Sequence, residues 1–346
     1  MKEEKTLPKF AGLVCSVIIL AILLLSGAHA QQRPVPVGEP VKWTIISGWL
    51  PQQSAGVEIF LIPWVEKVNK AAGGRLIVKW AGPEATPAWQ QFKPVRDGVY
   101  DGHYTHGAYN MGDTPLLSAC DLIVASASER RAAGWFDLMN KMLEAKRANQ
   151  IHLLEEVGWP NHTVLKRKPK QGLDLKGFKI RTTPYMNPFY TALGASCISI
   201  PMGEVYSALE KGVVDGVGTG SSVKDMKLNE VTKYIVEPSF FENVTCMLNI
   251  NRDSWNRLPD DLKEIVIKAG MEVEKTCHEA WVEKWEREKK ELLKGGMEIY
   301  QVSPKEEMAR LRKLFAEVMW AEEIKLDPEF GPKAKELAMV KKLGAF

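Results

Sequence analysis

The chain has 346 residues, 45% of them hydrophobic, so it is long enough to form two domains that each bury a core. Its formal net charge is +3, and its 46 lysines and arginines are spread along the chain instead of forming a basic stripe. This distribution argues against a nucleic-acid partner.

The first thirty residues have the pattern of a secretory signal peptide. Basic residues flank an apolar run from Phe10 to Leu25, and the small-residue sequence Ala28-His29-Ala30 follows it. We predict cleavage after Ala30. The alternative is an uncleaved membrane anchor, because about 18 apolar residues could just span a bilayer. Either outcome places the rest of the chain outside the cytoplasm.

Four cysteines remain beyond this leader, and no two of them form a C-x-x-C pair. Their wide spacing argues against a zinc site and against a thioredoxin-type redox motif. One or two disulfides and buried free thiols are both open alternatives in an oxidising compartment. The residues are Cys120, Cys197, Cys246 and Cys277.

Alternating strands and helices are predicted at the start of the mature chain. Val41 to Ile46 alternates apolar and polar residues, as a half-buried strand does. It leads into a loop, Ser47 to Gln53, that carries an aromatic residue and two amides. The predicted elements that follow are a helix from Val57 to Ala72, a strand from Arg75 to Trp80 and a helix from about Ala88 to Asp97.

The stretch from Gly177 to Thr219 is predicted as an α/β unit with Arg181 at the end of a strand. Pro184 prevents this strand from continuing as a central element of a sheet. Asn187-Pro188 has the residue types favoured at a helix N-cap and first position. The predicted elements are a strand from Phe178 to Arg181, a helix from Asn187 to Gly194, a strand from Ile198 to Ile200, a helix from Pro201 to Lys211 and a strand from Val213 to Val217.

Two segments share the pattern G-V-x-D-G-x-x-T, Gly98 to Thr105 and Gly212 to Thr219. Each follows a predicted helix and begins a predicted strand. A glycine-led strand lies upstream of each, Gly74 to Trp80 in the first case and Gly177 to Arg181 in the second. A repeated β-α-β arrangement predicts two similar α/β domains that face each other, and chance identity in a short pattern is the alternative.

The longest predicted helix runs from Leu258 to Gly296. Proline and two acids begin it, lysines crowd its last turns and two glycines end it. At 1.5 Å per residue it would be about 50 Å long, so we expect it to brace both halves, with Trp281 and Trp285 packed against the body of the protein. The other predicted elements are one or two helices between Ala127 and Ile151, a strand beginning at Thr163 to Leu165, short strand-like pieces between Val231 and Ile250, and helices from Pro304 to about Ile324 and from about Pro332 to Lys341.

Arg181 is the leading candidate for a ligand-binding residue. It precedes a Thr-Thr-Pro loop and the start of a helix, both of which offer donors to an anion. Its planar guanidinium can hold a carboxylate through two parallel hydrogen bonds, which a lysine cannot do. The alternative is an ordinary ion pair with a neighbouring acidic residue.

Catalytic and metal-binding patterns are weaker. We find no nucleophile elbow, zinc-protease motif, phosphate loop or dinucleotide fingerprint in the mature chain. His103 and His106 are close in sequence, but a hydrogen-bonded role in a cleft or core is favoured over metal binding. Asp101 and Asp215 could be paired carboxylates for acid-base catalysis. Both stand at the same place in the repeated turn, however, so a role in stabilising the turn is favoured.

The motifs of the second half together resemble those of the solute receptors of tripartite ATP-independent periplasmic (TRAP) transporters, of the DctP type. They are D-L-K-G-F-K-I-R (174–181), A-L-G-A (192–195), P-M-G-E-V-Y-S-A-L (201–209), K-G-V-V-D-G (211–216) and N-R-D-S-W (251–255). The resemblance covers most of the mature chain and is strongest from Gly158 to Leu262. It implies a bilobed α/β fold of the periplasmic-binding-protein type, with two domains joined by hinge strands and one long helix spanning both.

The resemblance also implies a function and a domain division. A receptor of this kind resides in the periplasm, closes around a small organic acid and delivers it to integral-membrane TRAP permease subunits. It is not an enzyme and needs no cofactor, and Arg181 would bind the carboxylate of the ligand. One domain would comprise residues 31–158 and about 247–286, and the other 159–246 and about 287–346. An exported enzyme acting on a small acid and a ligand sensor with the same fold are the alternatives.

Two departures from the family pattern limit what can be transferred. Well-known members carry a second arginine where this chain has Gly158 to Asn161, and often a Glu-Asn or Glu-Trp pair where it has Gly218-Thr219. A metal-bridged carboxylate is therefore not expected. We predict a cleft between the domains, with neutral hydrogen bonds from the residues around Arg181. The predicted lining is Arg181, Asn161, Thr183 and Thr219 on one side, and Trp49, His106 and Tyr109 on the other.

Overall fold

Two groups of parallel strands, linked by two long antiparallel strands, organise the structure. It is a computed structural model, and it describes residues 38–219, 222–239, 241–303 and 305–344. The predicted signal peptide lies outside these residues. No helix in the described ranges is both long and apolar enough to cross a membrane.

The described strands are numbered in chain order. They are β1 (Val41–Ser47), β2 (Leu76–Ala81), β3 (Gly102–His106), β4 (Gln150–Leu165), β5 (Lys179–Thr182), β6 (Ser196–Ser199), β7 (Gly216–Thr219), β8 (Tyr234–Glu237), β9 (Phe241–Asn251) and β10 (Glu298–Gln301).

The α-helices are numbered in the same way. They are α1 (Ile62–Ala72), α2 (Phe92–Arg96), α3 (Ala127–Ala133), α4 (Trp135–Ala145), α5 (Asn187–Ala192), α6 (Val205–Glu210), α7 (Arg252–Asn256), α8 (Asp260–Lys294), α9 (Lys305–Leu326) and α10 (Gly331–Val340).

The strand order has the same plan on both sides of its centre. The main path runs β2-β1-β3-β9-β4-β7-β5-β6, with β8 and β10 branching from β4. On each side three strands are parallel, and the innermost of them pairs with an antiparallel strand. This antiparallel strand is β9 on one side and β4 on the other. The long strands β4 and β9 pair with each other and cross between the two sides. The predicted mixed α/β fold with hinge strands is confirmed.

The repeated G-V-x-D-G pattern occupies equivalent positions in the two halves. The Asp101 carboxylate accepts a hydrogen bond from the Thr44 backbone N–H, and Asp215 accepts the same bond from Lys179, each at 2.8 Å. A Cβ at Gly102 or Gly216 would lie 2.7 Å from a carbonyl oxygen of the antiparallel neighbour, so both positions require glycine. The aspartates therefore have the structural role that the sequence favoured.

The predicted partner strands of this repeat are wrong. In the first half β3 pairs with β1, and in the second half the equivalent β7 pairs with β5. The counterpart of Gly177 to Arg181 is therefore β1, Val41–Ser47, and not Gly74 to Trp80. The first unit is thus β1-α1-β2-α2-β3, and it matches β5-α5-β6-α6-β7. The glycine before β2 misled the comparison because turns before strands commonly carry glycine.

Most predicted elements exist, with shifted bounds. The helix from Ala88 to Asp97 breaks into a 3-10 turn and the short α2, and the helix region after Ala127 divides at Gly134. The strand predicted from Val213 begins at Gly216, because a turn occupies the residues before it. Two strands were missed or truncated: β10, and β4, which begins at Gln150 instead of Thr163.

The long helix α8 spans both halves, as predicted. Its first half contributes Leu262, Val266 and Val273 to the core around β1 and α1. Its second half contributes Trp285 and Leu292 to a separate cluster around β7 and α6. The four cysteines beyond the leader are free thiols, so the disulfide alternative is not realised in this structure.

Glu156 lies at the crossing strands and joins three parts of the fold. It accepts hydrogen bonds from the Tyr104 hydroxyl on β3 and from the Trp281 indole N–H on α8. Its side chain is fully buried and pairs with no cation in the described residues. Burial raises the pKa of Glu156 to about 7, although the two hydrogen bonds oppose this shift.

We expect Glu156→Gln to become more stabilising as the pH rises. A carboxyl with a raised pKa in the folded state lowers the stability of the protein as pH increases from its ordinary pKa, 4.5, to about 7. Glutamine resembles the protonated acid and does not titrate. The difference in melting temperature between the variant and the wild type should therefore grow by at least about 2 °C between pH 5 and pH 8. The exposed Glu264→Gln is the control, and a difference independent of pH would contradict this role for Glu156.

Candidate functional site

A cavity lies where the carboxyl ends of the parallel strands in the two halves meet. Trp49 follows β1, His106 ends β3 and Tyr109 lies in the 3-10 turn after it. From the opposite half come Arg181 near the end of β5 and Thr219 at the end of β7. Parallel strands of α/β sheets commonly present ligand-binding residues at this edge.

All seven residues predicted from the sequence line this one cavity. Its volume is about 80 Å³, and a second cavity of about 370 Å³ adjoins it through shared walls at Trp49, Gln53, Tyr109 and Met202. The seven are Trp49, His106, Tyr109, Asn161, Arg181, Thr183 and Thr219.

Arg181 is buried in the cavity wall without a carboxylate partner. Only 3% of its surface is exposed, and its Nε and Nη2 donate to the Ile200 carbonyl at 2.9 and 2.6 Å. No carboxylate of the described residues lies within ion-pair distance of its guanidinium. Burial lowers the pKa of Arg181, and Tyr109 opposes the shift, but arginine remains charged near neutral pH. A buried cation of this kind is stabilised by an anion that enters from solvent.

Aromatic side chains face Arg181 from the opposite half. The Trp49 indole N–H donates to the Tyr109 hydroxyl at 3.0 Å, and the two rings lie 5.2 Å apart. Burial raises the pKa of Tyr109, while the charge of Arg181 opposes this. Tyr109 therefore remains a neutral hydroxyl close enough to feel the charge of the guanidinium.

His106 lines the cavity with both of its ring nitrogens already bonded. Its Nδ1 accepts from the Ala108 backbone N–H at 3.1 Å, so Nε2 carries the proton of the neutral ring. That Nε2 donates to Asp121 at 2.9 Å, and the other Asp121 oxygen accepts from the Thr245 backbone N–H. His106 thus offers the cavity its ring surface, and the hydrogen-bonded role predicted for it is confirmed. His103 is buried beneath and bonds Gln150 at 3.0 Å.

Two oxygens in the cavity wall have no partner. Asn161 Oδ1 and Thr219 Oγ1 are buried and make no hydrogen bond with the protein. Both residues line the cavity beside Arg181. A buried polar atom without a partner costs free energy, so these two atoms favour a polar ligand. Thr183 lines the same wall and is partly exposed.

Several other lining residues were not predicted. Gln53 belongs to the loop from Ser47 to Gln53, whose two amides the sequence showed, but it was not included in the predicted lining. Gly218 packs closely on the protein, since a Cβ there would lie 2.6 Å from the Tyr190 hydroxyl oxygen. Met202 lies within the 201–209 motif but was not assigned to the site. The remaining residues lie outside the motifs; they are Ser54, Asp121, Met186, Phe241, Val244 and Cys246.

A second polar cluster, buried at β4, has the residue types of a metal site. Cys120, His152 and Glu155 offer ligand atoms within 4.8 Å of one another. Glu155 instead bonds Arg130 Nη1 at 2.6 Å and His152 Nε2 at 2.7 Å, and burial raises the pKa of the Cys120 thiol well above its ordinary value. A guanidinium occupies the place next to the carboxylate, so the cluster is a hydrogen-bonded support for the strand.

Comparison with known protein families assigns the fold and the class of protein. Residues 58–323 match the model of the DctP family, described as bacterial extracellular solute-binding protein, family 7. The chain belongs to this family. The solute-binding protein is therefore a binding component of transport and not an enzyme, which confirms the resemblance seen in its motifs.

Individual relatives agree with the family assignment. The solute-binding protein is 25% identical over 268 residues to a monocarboxylate 2-oxoacid-binding periplasmic protein of Nostoc, covering 73% of this chain and 72% of the relative. It shares the fold of a TRAP transporter solute-binding protein from Bordetella bronchiseptica, whose active site holds copurified calcium and picolinate, at a TM-score of 0.76 and 19% identity over 88% of this chain and 94% of the other. It also shares the fold of one from Colwellia psychrerythraea, with bound calcium and pyruvate, at a TM-score of 0.75 and 19% identity over the same fractions.

Proposed function

We propose that this protein binds a small organic acid in the cleft cavity, with the ligand carboxylate on Arg181. The observation that carries the proposal is a guanidinium that is 3% exposed and has no carboxylate partner in the described residues. A bound carboxylate would supply the missing charge and accept from the guanidinium edge that Ile200 leaves free. The relatives named for 2-oxoacid and pyruvate binding support this ligand class.

The neutral part of the ligand would meet the remaining polar atoms of the cavity. Asn161 and Thr219 offer unpartnered oxygens, and Tyr109 offers a hydroxyl that already accepts from Trp49. Apolar contacts from Met186, Phe241 and Val244 complete the inner wall. This mixture suits an acid with a compact polar group near its carboxylate, and a longer body would extend into the adjoining cavity of about 370 Å³.

Export and delivery to a membrane permease are parts of the same proposal. The leader sequence and membership of an extracellular solute-binding family support a periplasmic protein that is cleaved after Ala30. The family supports TRAP permease subunits as the receiving partner. The proposed domains are residues 31–158 with about 247–286, and 159–246 with about 287–346. The register irregularity of β4 near Gly158, opposite β9, supports a hinge at that boundary.

A cation that bridges ligand and protein does not fit the described residues of this cavity. Asp121 is the carboxylate among them, and both of its oxygens already accept hydrogen bonds, from His106 and from Thr245. The proposed binding mode is therefore direct contact between the carboxylate and Arg181.

A thermal-shift screen in EDTA-containing buffer tests the proposal. The panel contains mono- and dicarboxylates, keto acids, sugar acids and aromatic acids, each beside its neutral primary amide. We expect at least one acid, at about 100 times its Kd, to raise the melting temperature by roughly 5 °C. Its amide should have little effect, because Arg181 would then lose its counter-charge. Equal stabilisation by acid and amide, or conversion of the acid to a product, would contradict the proposal.

A further inference from the structure

The cavity of about 370 Å³ that adjoins the inner cavity is here called the outer pocket. Arg181 lines the inner cavity and not the outer pocket. Trp49 and Tyr109 line both spaces from the first half, and Met202 lines both from the second half. Because the two spaces share these walls, a ligand held by Arg181 has room to extend past Tyr109 into the outer pocket.

Aromatic rings form one wall of the outer pocket. The Tyr109 ring lies at the centre of this wall, 5.2 Å from the Trp49 ring and 5.9 Å from the Trp89 ring between centroids. Trp89 lies in the 3-10 turn Ala88–Gln90 and is partly exposed. It lines the outer pocket but not the inner cavity, so a change at Trp89 alters the outer wall alone.

The two indoles of this wall offer carbon surface to a ligand. The Trp49 N–H donates to the Tyr109 hydroxyl at 3.0 Å, and the Trp89 indole nitrogen is buried. Aromatic rings pack favourably against other rings and against the sulfur of a methionine such as Met202. The wall therefore suits a flat aromatic body. The other apolar side chains that line the pocket are Pro83, Pro87, Ala88 and Pro201.

The polar side chains of the outer pocket do not suit a second anionic group. Apart from Tyr109, those among the described lining residues are Gln53, Gln90 and Glu204. Gln53 Oε1 already accepts from the Leu50 backbone N–H at 2.9 Å. Glu204 is exposed and carries the one formal charge in this described lining, so a second carboxylate would meet a like charge and no cation.

We propose that the outer pocket selects the body of the ligand, and that the ligand is an aromatic acid with a single carboxylate. The ring packs against Trp89 and Tyr109, while the carboxylate pairs with Arg181 in the inner cavity. Trp89 is then a residue that determines specificity. This inference rests on the proposed function, because it keeps the carboxylate on Arg181.

Isothermal titration calorimetry with two pairs of acids tests the outer pocket. Each pair shares one head group: phenylpyruvate with pyruvate, and 3-phenyllactate with lactate. At least one phenyl acid should bind about tenfold or more tightly than its short partner, because its ring leaves water for an apolar wall. The cyclohexyl analogue of that acid keeps the charge and bulk but has no π-system, and should bind about three- to tenfold more weakly than the phenyl acid.

Trp89→Leu tests the contribution of the aromatic wall. Leucine keeps the wall apolar but removes the ring, so affinity for the phenyl acid should fall by about three- to tenfold and the preference for phenyl over cyclohexyl should largely disappear. Trp255→Leu is the matched control, because Trp255 is also a partly exposed tryptophan but lies on α7 and lines neither space. It should keep the wild-type preference. A ratio of affinities does not depend on the fraction of folded protein, so partial unfolding would not imitate the effect.

Failure of this inference can be distinguished from failure of the proposed function. The aromatic pocket would be overturned, with the carboxylate still on Arg181, if pyruvate, lactate or gluconate bound as tightly as the phenyl acids. An unchanged preference in Trp89→Leu, or equal binding of an analogue with a second carboxylate on the ring, would overturn it in the same way. Equal binding of the phenyl acid and its primary amide would overturn both, because the carboxylate would then not be recognised.

Discussion

Arg181→Met should abolish most of the affinity for the acid that the thermal-shift screen selects. Removing one partner of a buried charge pair costs at least about 2 kcal/mol, which is roughly a thirtyfold increase in Kd. The cost is high because Arg181 is the one cation among the described residues that line the inner cavity, and only 3% of its surface is exposed. Isothermal titration calorimetry with the same acid measures the change directly.

The same substitution should not lower the melting temperature of the unliganded protein. In the wild type the guanidinium is buried without a carboxylate, and burial of an unpaired charge opposes folding. Methionine keeps much of the side-chain volume, and the main loss is the pair of bonds to the Ile200 carbonyl. Weakened binding combined with unchanged or raised stability would distinguish a ligand-binding arginine from a structural one.

Two further variants make the interpretation of Arg181 sharper. Arg181→Lys keeps the charge but loses the planar fork, and should bind the acid with intermediate affinity. Arg287→Ala removes an exposed arginine of α8 and should bind like the wild type. Wild-type affinity in Arg181→Met would remove Arg181 from the site.

The cleft was predictable because its residues follow sequence signals that are local. Trp49 and Arg181 come at the ends of short strands that alternate apolar and polar residues, and Tyr109 comes just after such a strand. The carboxyl ends of parallel neighbours meet at one edge, so recognising the strands was enough to bring their final residues together. The hydrogen-bond partners of the cavity residues could not be predicted in the same way. Nothing local showed that the Asp121 carboxylate and a backbone N–H would occupy the two ring nitrogens of His106 and so leave only its ring surface for the cavity.

The crossing strands were harder to predict, for a physical reason. β4 is buried along most of its length yet carries His152, Glu155 and Glu156, so its hydrophobic periodicity is interrupted. These polar groups are satisfied by Asn249, Arg130 and Trp281, which are distant in sequence. Hydrophobic periodicity indicates which residues face solvent, but it does not show that a buried polar residue has a hydrogen-bond partner elsewhere in the chain. The strand was therefore recognised only at its last, apolar residues.

The buried pair of Arg130 and Glu155 should make the largest single contribution to stability among the polar contacts. Both side chains are fully buried, with 2.6 Å between Nη1 and Oε2. Arg130 also donates to the Ala125 carbonyl at 2.9 Å and to Thr245 Oγ1 at 3.2 Å. It thus connects α3 to both crossing strands, next to the backbone that supports Asp121.

We expect Arg130→Met to lower the melting temperature by roughly 10 °C, because breaking a buried ion pair leaves an uncompensated charge and costs about 3–5 kcal/mol. Arg131→Met is the matched control: the neighbouring arginine is 23% exposed, and its pair with Glu274 should be worth less. The double variant Arg130→Met/Glu155→Gln removes both charges and should be more stable than Arg130→Met alone. Additive losses in the double variant would show that the two residues act independently.

The stability difference between the wild type and Arg130→Met should depend on pH, because Glu155 titrates. Burial alone would raise the pKa of Glu155, but the charge of Arg130 and the hydrogen bond from His152 outweigh it and lower the pKa to about 2. A carboxyl with a lowered pKa in the folded state stabilises the protein above its ordinary pKa, 4.5, and this contribution is lost as the pH falls toward 2. The gap in denaturant midpoint between wild type and Arg130→Met should therefore be full at pH 6 and shrink steadily below pH 4.5. A gap that stays constant down to pH 3 would mean that the guanidinium stabilises the fold through its bonds to Ala125 and Thr245 and not through Glu155.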